Sequence, residues 1–222
     1  MGAIVYGFDK GSSRLKHKNY TYRKVDITKK KIVEKNINLL IKNHQKIDVI
    51  INNAGFSVFT KFYERTNREL DKTINVNIKG TLNIINSYVK VHKEKKLIKC
   101  NIINIGSIYG IISPDFRIYE KNGNYNSEIY GATKASIIQL TKYYSVILSP
   151  LNINVNCLSP GGLYNHQKPQ KRSFIKKYSL RVPKARMANS EDLYTGILFL
   201  ASSNSSYVSG QNIVIDGGLS SW

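Results

Sequence analysis

Short apolar runs alternate with longer amphipathic segments along most of the chain, and this alternation limits the folds open to it. The runs at 47–52, 101–105 and 153–158 are rich in Ile, Val and Leu, so burial on both faces is expected. Strands of this kind are typical of parallel sheets that carry helices on both sides. We therefore predict an α/β fold with a doubly wound parallel sheet. The chain has no internal repeat and no low-complexity linker, so a single domain over residues 1–222 is expected.

The predicted strands and helices follow each other in nearly strict alternation. Strands are expected at 3–8, 20–25, 47–52, 101–105, 153–158 and 212–215. Helices are expected at 27–42, 65–93, 130–148 and 190–201. The second helix is expected to bend near Gly80, and Ser190 is the expected N-cap of the last helix.

Tyr130 and Lys134 stand four positions apart in the third predicted helix, and this spacing places them on the same helix face. A free tyrosine has a pKa of about 10, which is too high for proton exchange at neutral pH. A neighbouring ammonium favours the phenolate and lowers that pKa. The pair is therefore a candidate proton-transfer device for alcohol and carbonyl chemistry. The spacing alone is weak evidence, because any amphipathic helix can contain such a pair.

Other motifs occur in a fixed order around this pair. They are Asn52-Asn53-Ala54-Gly55, Asn77 with Gly80, Ser107, Ser159-Pro160-Gly161-Gly162 and Asp216-Gly217-Gly218. With Tyr130 and Lys134, this ordered set resembles the short-chain dehydrogenase/reductase family, from about Ile4 to Leu219. The resemblance implies a Rossmann-like fold and the transfer of a hydride between a nicotinamide cofactor and a secondary alcohol or ketone.

The resemblance also implies catalytic roles for four residues. Tyr130 would exchange the proton of the substrate oxygen, and Lys134 would lower the pKa of Tyr130 and bind the nicotinamide ribose. Ser107 would orient and polarise the substrate carbonyl. Asn77 would hold a water that links Lys134 to solvent. Without the resemblance, Ser107 would be taken for a turn residue at a strand end and Asn77 for a polar helix position.

The N-terminal region departs from the family pattern. Family members begin with a strand, a glycine-rich turn of the form Thr-Gly-x-x-x-Gly-x-Gly and a helix, which together bind the cofactor pyrophosphate. Neither Gly2 nor Gly7 fits this motif. We therefore expect the first strand and helix, a unit of about 25–30 residues, to be missing. Its loss would leave two strands without a neighbour and uncover apolar helix surface.

Two explanations of this departure are open. In the first, the assigned start codon is too late and the natural protein is longer. In the second, the chain is a truncated, catalytically impaired remnant with a structural or oligomerisation role. The first is favoured by the intact motifs downstream. Translation of the DNA upstream of Met1 distinguishes the two, because an in-frame stop without a glycine-rich segment rules out a late start.

The expected cofactor is NAD, with NADP as the alternative. By the resemblance, Asp9 ends the strand whose acidic residue binds both ribose hydroxyls and repels a 2′-phosphate. Lys10 and Arg14 nearby keep NADP open. The remaining cofactor contacts that the resemblance implies are Asp26 and Ile27 at the adenine, Asn52, Asn53, Ala54 and Gly55 at its ribose, Pro160 and Gly161 at the nicotinamide, and Tyr130 and Lys134. Without the glycine turn, binding of the cofactor is expected to be weak.

Two variable stretches carry what the sequence says about the substrate. Residues 114–126 form a polar and aromatic insertion, which is either a pocket rim or a disordered surface segment. Residues 163–186 follow the Pro-Gly turn, where the family has a mobile lid. Asn165, Gln167 and the lysines suit a hydroxylated or phosphorylated ligand, and His166 has no partner that would make it a metal ligand. With the motifs, these features resemble a bacterial subgroup that makes sugars for surface polysaccharides and flagellin glycans.

The composition excludes few classes of function. The net charge of +20 would suit a nucleic-acid partner, but the lysines are scattered among Asn and Ile, a bias that fits an AT-rich genome, so no nucleic-acid partner is expected. Cys100 and Cys157 stand in apolar runs and are expected to be buried thiols of a cytoplasmic protein. No membrane span, signal peptide or metal site is expected. The family resemblance implies a homodimer or homotetramer.

Overall fold

The computed structural model describes residues 2–13, 15–119, 125–167 and 169–222. The strands are β1 (Val5–Asp9), β2 (Tyr20–Lys24), β3 (Val49–Asn52), β4 (Cys100–Ile105), β5 (Ile153–Pro160) and β6 (Asn212–Ile215). The α-helices are α1 (Lys30–His44), α2 (Asn67–Ile74), α3 (Thr81–Lys95), α4 (Glu128–Ile147), α5 (Arg172–Ser179) and α6 (Tyr194–Ala201). No helix within these ranges combines the length and the hydrophobicity that a bilayer span requires.

All of these strands pair in parallel, which confirms the predicted α/β, Rossmann-like fold. Strands β3, β4, β5 and β6 form one sheet in that order, and β1 and β2 form another. In the middle of the larger sheet, Ile102 is in register with Ile50 on one side and Val155 on the other. The parallel strands thus form two groups, and no described strand lies between β1 and β3.

One hydrophobic core nevertheless joins the two sheets into a single domain. It contains Val25 after β2, Ile37 on α1, Tyr88 on α3 and Ile102 on β4. Helices α1 and α3 pack against each other across this core. Leu158 on β5 and Leu200 on α6 belong to a separate cluster with Ile103, which extends the apolar interior away from α1 and α3.

Strands β1 and β3 each have one edge without a described neighbour. In the described part of the chain, β1 pairs only with β2 and β3 pairs only with β4. Apolar residues near these edges are exposed, with Ile4 at 63%, Val5 at 48% and Ile51 at 45% of their surface. Unpaired strand edges beside exposed apolar side chains are templates for a further strand.

Several helix boundaries differ from the prediction for local reasons. The expected helix over 65–93 begins after the N-cap Thr66, whose capping box includes Glu69, and a π-helical segment, Asn75–Gly80, interrupts it. The expected helix over 190–201 begins as a short 3-10 helix, Ser190–Leu193, which leads into α6. Its N-cap is Asn189 and not Ser190, and the Asn189 N–H donates to the Asp192 carboxylate. Helix α5, which lies inside the expected lid, was not predicted from the sequence.

Candidate active site

A cleft of about 400 Å³ opens beyond the carboxyl ends of β3, β4 and β5. This is the edge at which open parallel sheets bind their ligands. The predicted site residues that line the cleft are Asn53, Gly55, Ser107, Tyr130, Lys134, Pro160 and Gly161. The structure therefore brings together residues that are more than 100 positions apart in the sequence.

Helix α4 presents Tyr130 and Lys134 to the cleft. Ser127 caps the helix by accepting a hydrogen bond from the backbone N–H of Tyr130, at 3.2 Å. One turn later, the buried Lys134 donates from Nζ to the carbonyl oxygen of Ile105, at 2.7 Å. Lys134 Nζ lies 5.7 Å from the centre of the Tyr130 ring. Both side chains are therefore on one face of α4, as their spacing predicts.

The pKa of Tyr130 moves in the direction opposite to the prediction. Burial raises this pKa, and only a hydrogen bond with the Ser107 side chain opposes the effect. The effect of burial dominates, and the Lys134 ammonium, 5.7 Å from the ring centre, donates its described hydrogen bond to Ile105 and not to the phenol. In this arrangement Tyr130 is a neutral phenol at neutral pH, which is the form that donates a proton to a carbonyl oxygen.

Burial also lowers the pKa of Lys134 to about 8, from an ordinary value of 10.5. The side chain is 5% exposed and its one described acceptor is a neutral carbonyl. An ammonium without a counter-ion in the interior destabilises the folded state. The folded protein therefore bears a cost for keeping a positive charge at this position.

That cost predicts a pH-dependent gain in stability for Lys134→Met. Between about pH 8 and pH 10.5 the unfolded state binds more protons at this lysine than the folded state, so the free energy of unfolding rises with pH. We expect the variant to be about 2 kcal/mol more stable than the parent at about pH 7, and to lose most of that advantage by about pH 9.5. Urea denaturation at both values measures this difference. Lys142→Met, at an exposed position of α4, is the control and should show no such pH-dependent gain.

Ser107 stands where the chain leaves β4. Its hydroxyl accepts a hydrogen bond from the backbone N–H of Tyr109, at 3.2 Å, and it caps the short helix Ile108–Gly110. The side chain is 7% exposed and lines the cleft together with Tyr130. A hydroxyl held between a backbone turn and the phenol is suited to orient a substrate carbonyl beside Tyr130.

Asn77 lies in the π-helical segment and supports the cleft from behind. Its Oδ1 accepts a hydrogen bond from the Phe56 N–H at 2.7 Å, and its Nδ2 donates to the Phe56 carbonyl and to Thr133 Oγ1, both at 2.9 Å. Thr133 Oγ1 donates in turn to the carbonyl of Tyr130, at 2.8 Å. Asn77 therefore fixes the segment after Gly55 relative to α4. Its role in holding a water stays a prediction.

The Pro-Gly-Gly segment at the end of β5 also lines the cleft. A Cβ on Gly161 would lie 2.9 Å from the Cα of Asp216, so this position accepts no side chain without a shift of the backbone. The Gly162 N–H donates to the hydroxyl of the buried Tyr178, at 2.5 Å. This contact ties α5, in the expected lid, to the cleft wall.

The remaining predicted cofactor residues do not line the cleft. Asp9 ends β1 and accepts a hydrogen bond from the Gly11 N–H at 2.7 Å. Asp26 Oδ1 accepts from Thr28, whose side-chain hydrogen bond is the main cause that lowers the pKa of this carboxyl. Ile27 packs against the main core, and Asn52 donates to Asn104 Oδ1 at 2.8 Å.

Their contacts with a cofactor stay predictions, as does that of the exposed Ala54. Arg14, which keeps NADP open, lies outside the described residues, as do residues 120–124 of the insertion and Lys168 of the expected lid.

Sequence reasoning missed several side chains that line the cleft, notably Ser57, Tyr109 and Asn126. Asn126 belongs to the insertion, whose end therefore borders the cleft. Ser127 is a good N-cap residue and is followed by Glu128, which together mark the start of a helix. This pattern could have placed Asn126 next to the first turn of α4, which carries Tyr130. No comparable signal marks Ser57, because it depends on where Asn77 holds the backbone of Phe56.

Comparison with known proteins places these features in a family. A family model described as enoyl-(acyl carrier protein) reductase matches residues 9–220. The chain is 34% identical over 191 residues to the 3-oxoacyl-(acyl-carrier-protein) reductase FabG of Thermotoga maritima, covering 86% of this chain and 71% of that protein. It is 30% identical over 200 residues to the post-translational flagellin modification protein A of Campylobacter coli, covering 88% and 76%.

A solved structure gives the same result for the fold. The short-chain dehydrogenase from Leptospira borgpetersenii with bound NAD+ matches with a TM-score of 0.90 and 38% sequence identity. The match covers 98% of this chain and 83% of that one. Both the sequence and the three-dimensional arrangement are therefore similar over nearly the whole of this chain.

Proposed function

Because the chain belongs to the short-chain dehydrogenase/reductase family, we propose that its cleft transfers a hydride between NAD(P) and a secondary alcohol or ketone of a sugar or sugar nucleotide. The family and the NAD+-bound relative make the chain an NAD(P)-dependent oxidoreductase. The single observation that carries the proposal is the meeting of Ser107, Tyr130 and Lys134 in one cleft beside the Pro-Gly-Gly turn.

The residues at the cleft fit a nicotinamide cofactor. The Lys134 ammonium has three N–H donors, and the described structure uses one of them, toward Ile105. The others are available for ribose hydroxyls. Gly55 leaves the cleft open beside this ammonium, since even an added Cβ would stay 3.7 Å from Nζ. Asp9 supports NAD over NADP, because a carboxylate repels a 2′-phosphate. NADP stays the alternative, because the neighbouring Lys10 can attract that phosphate.

The chain's own groups handle the proton and the orientation of the substrate. A nicotinamide cofactor bound here supplies or accepts the hydride. Tyr130 donates its phenolic proton to the oxygen of a ketone, or accepts that proton in the reverse direction. Ser107 orients the same oxygen, and Lys134 stabilises the phenolate that forms when the proton has left.

A sugar substrate is supported by the polar cleft and by one of the relatives. Ser57 and Asn126 add a hydroxyl and an amide to the catalytic groups. The similar flagellin modification protein A, by its name, acts in the post-translational modification of flagellin. The FabG relatives favour a second candidate, reduction of a 3-oxoacyl thioester.

A spectrophotometric assay distinguishes these candidates. The chain is incubated with NADH or NADPH and either a panel of keto sugars and sugar nucleotides or an acetoacetyl thioester, and loss of reduced nicotinamide is followed. We expect faster oxidation of NADH than of NADPH, and turnover with at least one sugar. A higher kcat/KM for the thioester than for every sugar would refute the sugar assignment.

The divided sheet supports a further element of the proposal. One additional parallel strand fits between β1 and β3, because both edges lack a described neighbour and carry exposed Val5 and Ile51. With that position empty, the alternative function is a catalytically impaired chain with a structural or oligomerisation role. Association of copies is supported by Tyr143, Val146 and Ile147 of α4, which are 58%, 76% and 52% exposed.

A further inference from the structure

We infer that Ser57 and Asn126 bind a hydroxyl group on the carbon next to the reacting carbon, so that the substrate is an α-hydroxy ketone or the corresponding vicinal diol. The inference rests on the proposed oxidoreductase function and narrows it to a substrate class. Both side chains line the same cleft as Ser107 and Tyr130. In this reaction the ketone carbon gains a hydride, its oxygen gains a proton, and the neighbouring hydroxyl is unchanged.

Ser57 is held in place by the chain on its N-terminal side. Both backbone groups of Phe56 are bonded to the buried side chain of Asn77. The Phe56 ring also lies under the Lys72 ammonium, at 4.1 Å. Among the described residues, the hydroxyl of Ser57 makes two long contacts, at 3.5 Å to the Val58 carbonyl and 3.4 Å to Asn126 Oδ1. Such contacts are near the limit of a hydrogen bond, so a ligand oxygen can replace them at little cost.

Asn126 is fixed from the opposite side of the cleft. Its neighbour Tyr125 packs edge-on against Tyr119 and Phe116. The next residue, Ser127, caps α4 three positions before Tyr130. Within the described part of the chain the Asn126 amide accepts from Ser57 and its Nδ2 has no hydrogen-bond acceptor. Two N–H donors are therefore available beside the catalytic phenol.

The charge of the pair decides which group it binds. Ser57 and Asn126 are neutral, and together they offer donors and acceptors, which matches a hydroxyl better than a carboxylate or phosphate. Lys134 is the cation among the described lining residues, and it is directed to Ile105. A neutral amide and hydroxyl on rigid supports reject a substrate without the second hydroxyl, because their polar groups are then left unpaired.

Ligand binding tests the inference without turnover. Acetoin and butanone differ by one hydroxyl next to the ketone, and ligand-observed NMR titration gives their affinities. We expect the protein to bind acetoin about tenfold more tightly than butanone. Ser57→Ala and Asn126→Ala should each remove most of this preference, whereas the surface controls Ser190→Ala and Asn38→Ala should keep it. Equal affinities for the two ketones, or an unchanged preference in both cleft variants, would overturn the inference.

Turnover separates the inference from the proposed function. With NADH, we expect kcat/KM to be about tenfold higher for acetoin than for butanone, and the cleft variants to lose that ratio through KM for acetoin. Reduction of both ketones at equal kcat/KM would leave the oxidoreductase function intact and refute the inference. A binding preference for acetoin, with reduction of neither ketone, would support the hydroxyl-binding inference and refute the proposed oxidoreductase function.

Discussion

Replacing Tyr130 with phenylalanine is expected to lower kcat about a thousandfold, while KM changes by no more than a few fold. The substitution removes one hydroxyl and keeps the ring, so the packing of α4 and the Ser127 cap are preserved. What is lost is the proton donor for the substrate oxygen. Initial rates at millimolar NADH, with the best ketone from the substrate panel, measure the effect.

The control for this variant is Tyr144→Phe. Tyr144 is also a partly buried tyrosine of α4, and its hydroxyl donates to Asn86 Oδ1 at 3.1 Å, in the core behind the helix. Its loss should lower stability slightly and leave kcat within about twofold of the parent. If Tyr130→Phe also kept kcat within tenfold, the phenol would not be the proton donor, and the mechanism proposed for the cleft would be wrong.

The parts of the fold that the sequence predicts well are those set by apolar periodicity. The run at 101–105 becomes β4 within one residue, because Ile102 and Ile103 are fully buried on opposite faces of the strand. The spacing of Tyr130 and Lys134 likewise predicts their common helix face. Both features depend on short-range geometry that is written in the local sequence.

The parts that the sequence predicts poorly depend on contacts between distant segments. The predicted direction of the Tyr130 pKa shift is wrong. The shift follows from the burial of the phenol, while Lys134 donates its hydrogen bond to Ile105. Ser57 lines the cleft because the hydrogen bond from the Phe56 N–H to Asn77 holds the neighbouring backbone in place, and no local pattern reveals this bond. Tyr178 reaches Gly162 from a helix whose short, basic segment carries no strong helix signal.

Joining a segment that forms a strand, a glycine-rich turn and a helix ahead of β1 is expected to tighten NADH binding at least about a hundredfold. The new strand would pair with β1 and β3, whose facing edges have no described neighbour. This pairing places the glycine turn at the carboxyl edge of the sheet, beside the cleft. Its backbone N–H groups and the helix N-terminus would then bind the cofactor pyrophosphate, which the described residues leave without an anchor of this kind.

Titration of NADH fluorescence compares the two proteins, and amide hydrogen exchange reports on the strands. The control is the same segment with valines in place of the turn glycines. It should protect the amides of β1 and β3 as well as the glycine form does, but should not improve NADH affinity, because side chains block the approach of the pyrophosphate. Micromolar binding by the 222-residue chain would contradict the prediction of weak binding. Unchanged exchange at β1 and β3 would show instead that the space between the sheets is not a strand site.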